Sequence, residues 1–455
     1  MIMSRRAFLA TTAAAMAPWQ AGATTPKVLT AAESLVRLAP AEHPETALWC
    51  FDGLTPGPEL RAKQGERLSL DFVNNLSEPS AIHWHGIRID NAMDGVPGLT
   101  QEAVQPGETF RYDFELPDAG TYWYHSHNRS WEQVARGLYG PLIVEEAQPP
   151  EVDQDQTLVL DDWRLAEGAE IAGGFGSMRD WSHAGRFGNW VTVNSLPEPS
   201  YPTRRHERLR LRLINAANAR TFTLSAKGVR GWVVALDGQP LVAPKPFERV
   251  VLAPAQRADL IVDVLADGDE APVLISHERD GDYAMATFPA TGDARAAPLP
   301  QQETFLMPNP VPTPGKLDDA LKVDLVMQGG AMGRMADAEF EGQTLGIREL
   351  VRKGKAWAFN SVAGMAEAPL FTAERGRTVE IKLVNDTSWP HGIHVHGHHF
   401  AEAGDTSVTL RDTILLNRGE TKRIAFTADN PGDWLLHCHM LEHAAAGMTS
   451  WFRVT

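Results

Sequence analysis

The chain has 455 residues, 43% hydrophobic and 22% charged, with 42 Lys and Arg against 58 Asp and Glu. That length exceeds one ordinary core, and the near-average apolar content excludes a disordered chain. A net charge of −16 argues against nucleic acid or anionic lipid as partners, and two cysteines exclude a disulfide-framed fold.

The first stretch reads as an export signal. Ser4-Arg5-Arg6-Ala7-Phe8-Leu9 carries paired arginines, Ala7 to Ala17 is apolar, and Ala21-Gly22-Ala23 offers a small-residue cleavage site. Residues 1–23 are therefore expected to be a twin-arginine signal, and the mature protein to lie in a bacterial periplasm. The apolar run is too short to span a bilayer, and no later stretch suggests membrane insertion.

Short apolar alternations punctuated by Gly, Pro, Asn and Asp follow, which predicts an all-β chain of sandwich type. An internal repeat supports this. Leu68-Ser-Leu70-Asp-Phe72-Val-Asn74 recurs as Leu209-Arg-Leu211-Arg-Leu213-Ile-Asn215 and as Val379-Glu-Ile381-Lys-Leu383-Val-Asn385. Each copy is a period-2 strand, half-buried by pattern, that closes on Asn. Three related β domains are expected, at 24–148, 151–290 and 303–455. Linkers are expected near Ala147 to Pro150 and over the Pro/Ala-rich Ala290 to Pro314. Cys50, in Leu48-Trp49-Cys50-Phe51, reads as a small buried core residue.

The first and third copies agree further. His83-Trp84-His85-Gly86 opens nine residues after Asn74, and His394-Val395-His396-Gly397 opens nine after Asn385. Gly107-Glu108-Thr109 precedes His125-Ser126-His127 by the same interval that separates Gly419-Glu420-Thr421 from His437-Cys438-His439. The middle copy has Leu224 where a His would stand, and reads as a spacer. On a strand, residues i and i+2 share a face, so each His-X-His pair can converge on a metal. Eight imidazoles are too many for one ion and suit three coppers.

The last stretch, His437 to Met448, adds different chemistry. Cys438, His443 and Met448 supply a thiolate, an imidazole and a weak thioether, the donor set of a blue-copper electron-transfer site. His391, three residues before His394, completes it. Cys438 points away from the face of His437 and His439, so one strand serves two metal sites.

With these motifs, the chain resembles the three-domain multicopper oxidases, laccase-like enzymes built from cupredoxin domains. The bacterial copper-efflux and manganese oxidases are nearest in style. The resemblance implies three consecutive cupredoxin-like Greek-key β-sandwich domains and four coppers. It implies that His83 and His394 hold the type 2 copper. His85, His125 and His439 would hold one type 3 copper, and His127, His396 and His437 the other. His391, Cys438 and His443, with Met448 axial, would hold the type 1 copper. Asp94 matches the family acid expected to relay protons. The implied reaction couples one-electron oxidation of a small-molecule or metal-ion reductant (phenol, aryl amine, Cu(I) or Mn(II)) to four-electron reduction of O₂. A monomer is expected. A nitrite reductase, or a copper-tolerance protein with little turnover, are the competing readings.

One departure concerns protons. Bacterial relatives often carry Glu directly after the last type 1 His, where this chain has Ala444. Glu442 is nearby but reads equally as a surface residue. Met327, Met332 and Met335 read as packing rather than a Cu(I) site. His183, His206 and His277 show no partner pattern, His398 and His399 read as local hydrogen-bonding residues, and Asp412 reads as structural. The Gly- and aromatic-rich segment Ile171 to Trp190 reads as a loop over the substrate side.

Overall fold

The computed structural model describes residues 28–265, 271–279, 281–301, 305–404 and 409–455. The expected export signal lies outside them. All three repeat copies form strands: Arg67–Asn74, Arg208–Asn215 and Arg377–Asn385. Each runs parallel to the first strand of its region: Val28–Val36, Gln154–Trp163 and Leu321–Gly329. Each also pairs antiparallel with a later one: Thr109–Glu115, Arg257–Val264 and Thr421–Ala428. The closing Asn performs the same task three times. Its amide donates to two carbonyls of the following loops, and its Oδ1 accepts the N–H two residues on, an Asx turn that fixes the strand exit.

Each region adds a second sheet. In the first and third regions these second sheets carry the histidines: one holds Gly120–Ser126 beside Ile82–His85, the other Gly432–Cys438 beside His391–Val395. One buried apolar cluster draws on both regions, from Leu29 to Val144 and from Leu325 to Val454. The middle region has its own cluster, from Leu158 to Phe288. The two ends of the chain thus share a core, and the histidine sheets lie against it.

Two expectations change. The strand Arg208–Asn215 is buried on both faces rather than one. Its leucines fill the middle cluster, while Arg208 pairs with Asp263, Arg210 with Asp259 and Glu146, and Arg212 with Asp155. A guanidinium can be buried where fork-shaped donors meet carboxylates, and here the partners of Arg210 include an acid of the first region. The second change is in the Pro/Ala-rich stretch, which is not wholly a linker. Ala290–Asp293 is a strand paired in parallel with Thr203–Arg205. Further on, Asn309 bonds to Ala119 and Gln239, strapping the first and middle regions together.

Candidate metal centres

The four His-X-His pairs come together. His83 stands opposite His125 in one antiparallel pair, and His394 opposite His437 in the other. The two strand pairs face each other across the chain ends. His83 stacks on His396 with ring centroids 4.0 Å apart, and His85 on His394 at 3.8 Å. His127, His396 and His437 place one nitrogen each within 4.8 Å of one another, as do His83, His85 and His125, and His83, His394 and His396. His439 reaches the group by its ring, 5.0 Å from His85 and 5.2 Å from His125.

Hydrogen bonds on the outer side decide which nitrogen is available. The Nδ1–H groups of His83, His125, His394 and His437 donate to the carbonyls of Asp94, Ser126, Asp412 and Cys438. His85 is turned the other way, with Nε2 3.2 Å from the Asp412 carboxylate. The inward nitrogens of His83, His85, His125, His127 and His394, and both of His439, are buried without a hydrogen-bond partner. Burial first, and then the neighbouring imidazoles, hold His125, His127, His396, His437 and His439 well below the usual imidazole range. Neutral rings with orphaned, converging lone pairs are what a copper cluster requires; without a bound ion each would carry a desolvation cost.

The second set lies on the opposite face of the strand that carries Cys438. Cys438 Sγ is 3.6 Å from His391 Nδ1 and 3.8 Å from His443 Nδ1, and those two nitrogens are 3.1 Å apart. Their Nε2 atoms are held outside: His391 at Thr387 Oγ1, 2.8 Å away, and His443 at the His183 carbonyl, 2.7 Å away. Trp357 packs on both rings. Met448 is fully buried; its carbonyl accepts the Cys438 N–H and its N–H donates to His443. Burial pushes the Cys438 thiol up to about 12, so metal loading must displace a proton. This set of two imidazole Nδ1 atoms and one sulfur suits a single copper of the blue type.

Sequence reasoning missed two features. Asp412 is not merely structural. It is fully buried, accepts at Oδ1 from His85, and offers its carbonyl to His394. Arg257 of the middle region grips it through two bonds, of 2.9 and 2.6 Å. Burial alone would raise the Asp412 carboxyl, but Arg257 and then His85 outweigh it and hold it well below the usual range. The guanidinium lies directly over Gly86, where any Cβ would strike it, and φ there is +88°. The glycine of His83-Trp-His85-Gly86 thus makes room for an arginine from another region, so that region is more than a spacer.

Glu442 is the second. It is buried, not on the surface. It accepts from Asn218 at 2.8 Å, and burial raises its carboxyl to about 7. A raised acid stabilises the fold below its unfolded pKa and loses that contribution as pH climbs through the folded value. Glu442→Gln is therefore expected to match the wild type in melting temperature at pH 5 and exceed it at pH 8. The gain is on the order of 2–3 kcal/mol, read by thermal melts at both pH values; equal melting temperatures at pH 8 would refute it.

The segment Ile171 to Trp190 is the one read from the sequence as a loop over the substrate side. It holds a short helix, Met178–Ser182, and it reaches the blue-type set through the His183 carbonyl. The methionines stay apart: Met327 is in the shared core, Met335 packs beside Ala338 and Leu350, and Met332 is exposed. His398 bonds locally, to the His396 carbonyl, whereas His399 is not local: it meets Gln239 of the middle region, brought there by the fold. Among the described residues no helix is long and apolar enough to cross a membrane.

Fold and donor sets together define a copper-dependent oxidase built from cupredoxin sandwiches. The comparisons agree: the signature of the multicopper oxidases matches residues 34–149 and again 342–455. The chain belongs to the multicopper oxidase family, whose members bind four coppers and couple oxidation of a reductant to reduction of O₂. The crystal structure of Lac15, from a marine microbial metagenome, is 44% identical, with a TM-score of 0.77 over 94% of this chain and 100% of its own. A multicopper oxidase from Pseudomonas thermotolerans is 32% identical, with a TM-score of 0.81 over 96% of this chain and 100% of its own. Copper resistance protein A of Escherichia coli is 26% identical, covering 94% of this chain and 92% of the relative.

Proposed function

We propose that this chain is a periplasmic, monomeric oxidase of phenols, aryl amines or low-valent metal ions. In this reading His391, Cys438, His443 and Met448 would hold the type 1 copper. His83 and His394 hold the type 2 copper. His85, His125 and His439, and His127, His396 and His437, hold the type 3 pair. Domains at 24–148, 151–290 and 303–455 serve it, the outer two supplying ligands. The observation that carries the reading is the set of orphaned, buried imidazole nitrogens between the chain ends.

When bound, the coppers accept single electrons and reduce O₂ to water. The chain supplies the connection. Cys438 is covalently next to His437 and His439, so one short backbone run joins the two donor sets. The chain also excludes water, since every proposed ligand other than His127 is fully buried. Asp94 holds protons in this reading. Its Oδ2 accepts from His396 Nδ1 at 2.9 Å, and its Oδ1 is 3.3 Å from His83 Nδ1. A carboxyl there can pass a proton toward the cluster without being a ligand itself. Asp94→Asn is expected to slow reoxidation by O₂ by at least about 100-fold, while anaerobic bleaching of the blue band by a donor proceeds; equal slowing of both steps would count against the relay. Oxygen uptake with Cu(I), Mn(II) and 2,6-dimethoxyphenol tests the donor class; uptake with none of the three contradicts it.

A further inference from the structure

Electrons must reach Cys438 by way of His391 or His443, and both rings are fully buried. His391 is closed off by Thr387. His443 cannot offer its N–H to a donor molecule either, because that hydrogen is already given to the His183 carbonyl at 2.7 Å. The outermost group on this route is therefore residue 183. Its side chain is exposed and lies against Trp389, with ring centroids 5.4 Å apart. The backbone on the other side of Trp389 is tied down, the Ser388 hydroxyl donating to the Met332 carbonyl and the Trp389 indole N–H to the Ala331 carbonyl.

The tautomer of His183 follows from its neighbour. Ser182 has one hydroxyl hydrogen and gives it to the Met178 carbonyl at 2.7 Å. Its oxygen can then only accept from His183 Nδ1, 3.0 Å away. The proton of the neutral ring therefore sits on Nδ1, and Nε2 carries a lone pair at the surface. Among the described residues, no group of three or more metal-type donors includes His183. A planar ring finds there two aromatic faces and a hydrogen-bond acceptor.

We propose that His183 is the docking and proton-accepting residue for a phenolic donor. This inference rests on the copper reading given above. The phenol O–H donates to His183 Nε2. On oxidation the O–H bond breaks, its proton passes to Nε2, one electron leaves by the 183 carbonyl and His443 toward the type 1 site, and the aryloxyl radical departs. The type 1 site is the one-electron oxidant.

The test uses the copper-loaded full chain as wild type, His183→Leu and His183→Gln. One readout is the anaerobic rate of blue-band bleaching by 2,6-dimethoxyphenol divided by the rate with ferrocyanide, which has no proton to lose. The other is calorimetric binding of 4-nitrophenol, a phenol too electron-poor to be oxidised, at a pH where it is neutral. In His183→Leu the rate ratio should fall by at least about tenfold and 4-nitrophenol binding should weaken roughly threefold. His183→Gln, whose amide oxygen accepts a hydrogen bond but takes no proton, should restore the binding and not the ratio. A ratio unchanged in His183→Leu, or restored in His183→Gln, overturns the proposal. If the wild type lacks a blue band, the copper reading itself fails; a blue band with an unchanged ratio defeats only the assignment to His183.

Discussion

Replacing Cys438 with serine will remove the blue band and donor oxidation together. Cys438 supplies the thiol sulfur that lies 3.6 Å from His391 and 3.8 Å from His443, and it sits between two histidines of the other donor set. A hydroxyl is a hard, weak donor that gives neither the thiolate-to-copper absorption nor a soft ligand for the reduced metal. The second cysteine offers no rescue. Cys50 is buried on the strand Thr46–Phe51, pushed up to about 12 by burial, and packs with Leu38, Trp123 and Tyr139 instead. Activity should drop by more than about 100-fold, the upper end of what losing a partner outside the ligand set costs. Copper binding at the four His-X-His pairs should persist. Visible absorption and donor-dependent oxygen uptake check this, and a surviving blue band refutes the assignment.

Arg257→Leu should produce the complementary defect. Arg257 touches no proposed ligand, yet it holds Asp412, which holds His85 through its carboxylate and His394 through its carbonyl. Removing the guanidinium leaves a buried carboxylate uncompensated, at a cost of about 3–5 kcal/mol. The strand from His391 to Val395 and the ring of His85 lose their common anchor. Copper affinity at the cluster should fall by about 10–100-fold, the usual effect of losing an orienting partner. The blue band should remain, because His391, Cys438 and His443 make no contact with Arg257. Metal analysis with electron paramagnetic resonance would show a weakened type 2 signal beside a normal type 1 signal. Equal loss of both signals would mean that Arg257 supports the fold at large rather than the cluster.

The parts legible in sequence were those written locally. The three strands ending in Asn74, Asn215 and Asn385 carry a period-2 pattern and an Asx turn within a few residues. The His-X-His pairs converge because strand geometry puts i and i+2 on one face, and their matched spacing marks them as copies. Features created by folding were not legible. Arg257 and Asp412 are 155 residues apart, and each looks ordinary in its own stretch. Glu442 reads equally as a proton-delivering acid or a surface residue until Asn218 closes over it. The cover on His443 is a backbone carbonyl, and no side-chain pattern announces that. The arginines on the strand from Arg208 looked solvent-facing because their acids come from other strands.

The account stands or falls on how much copper the two donor sets hold, and in which forms. The reconstituted protein should bind four coppers per chain. Resonance should find two of them, one type 1 and one type 2, with the remaining pair silent through coupling. Far fewer than four equivalents after full reconstitution, or a protein with a blue site and no coupled pair, would contradict it.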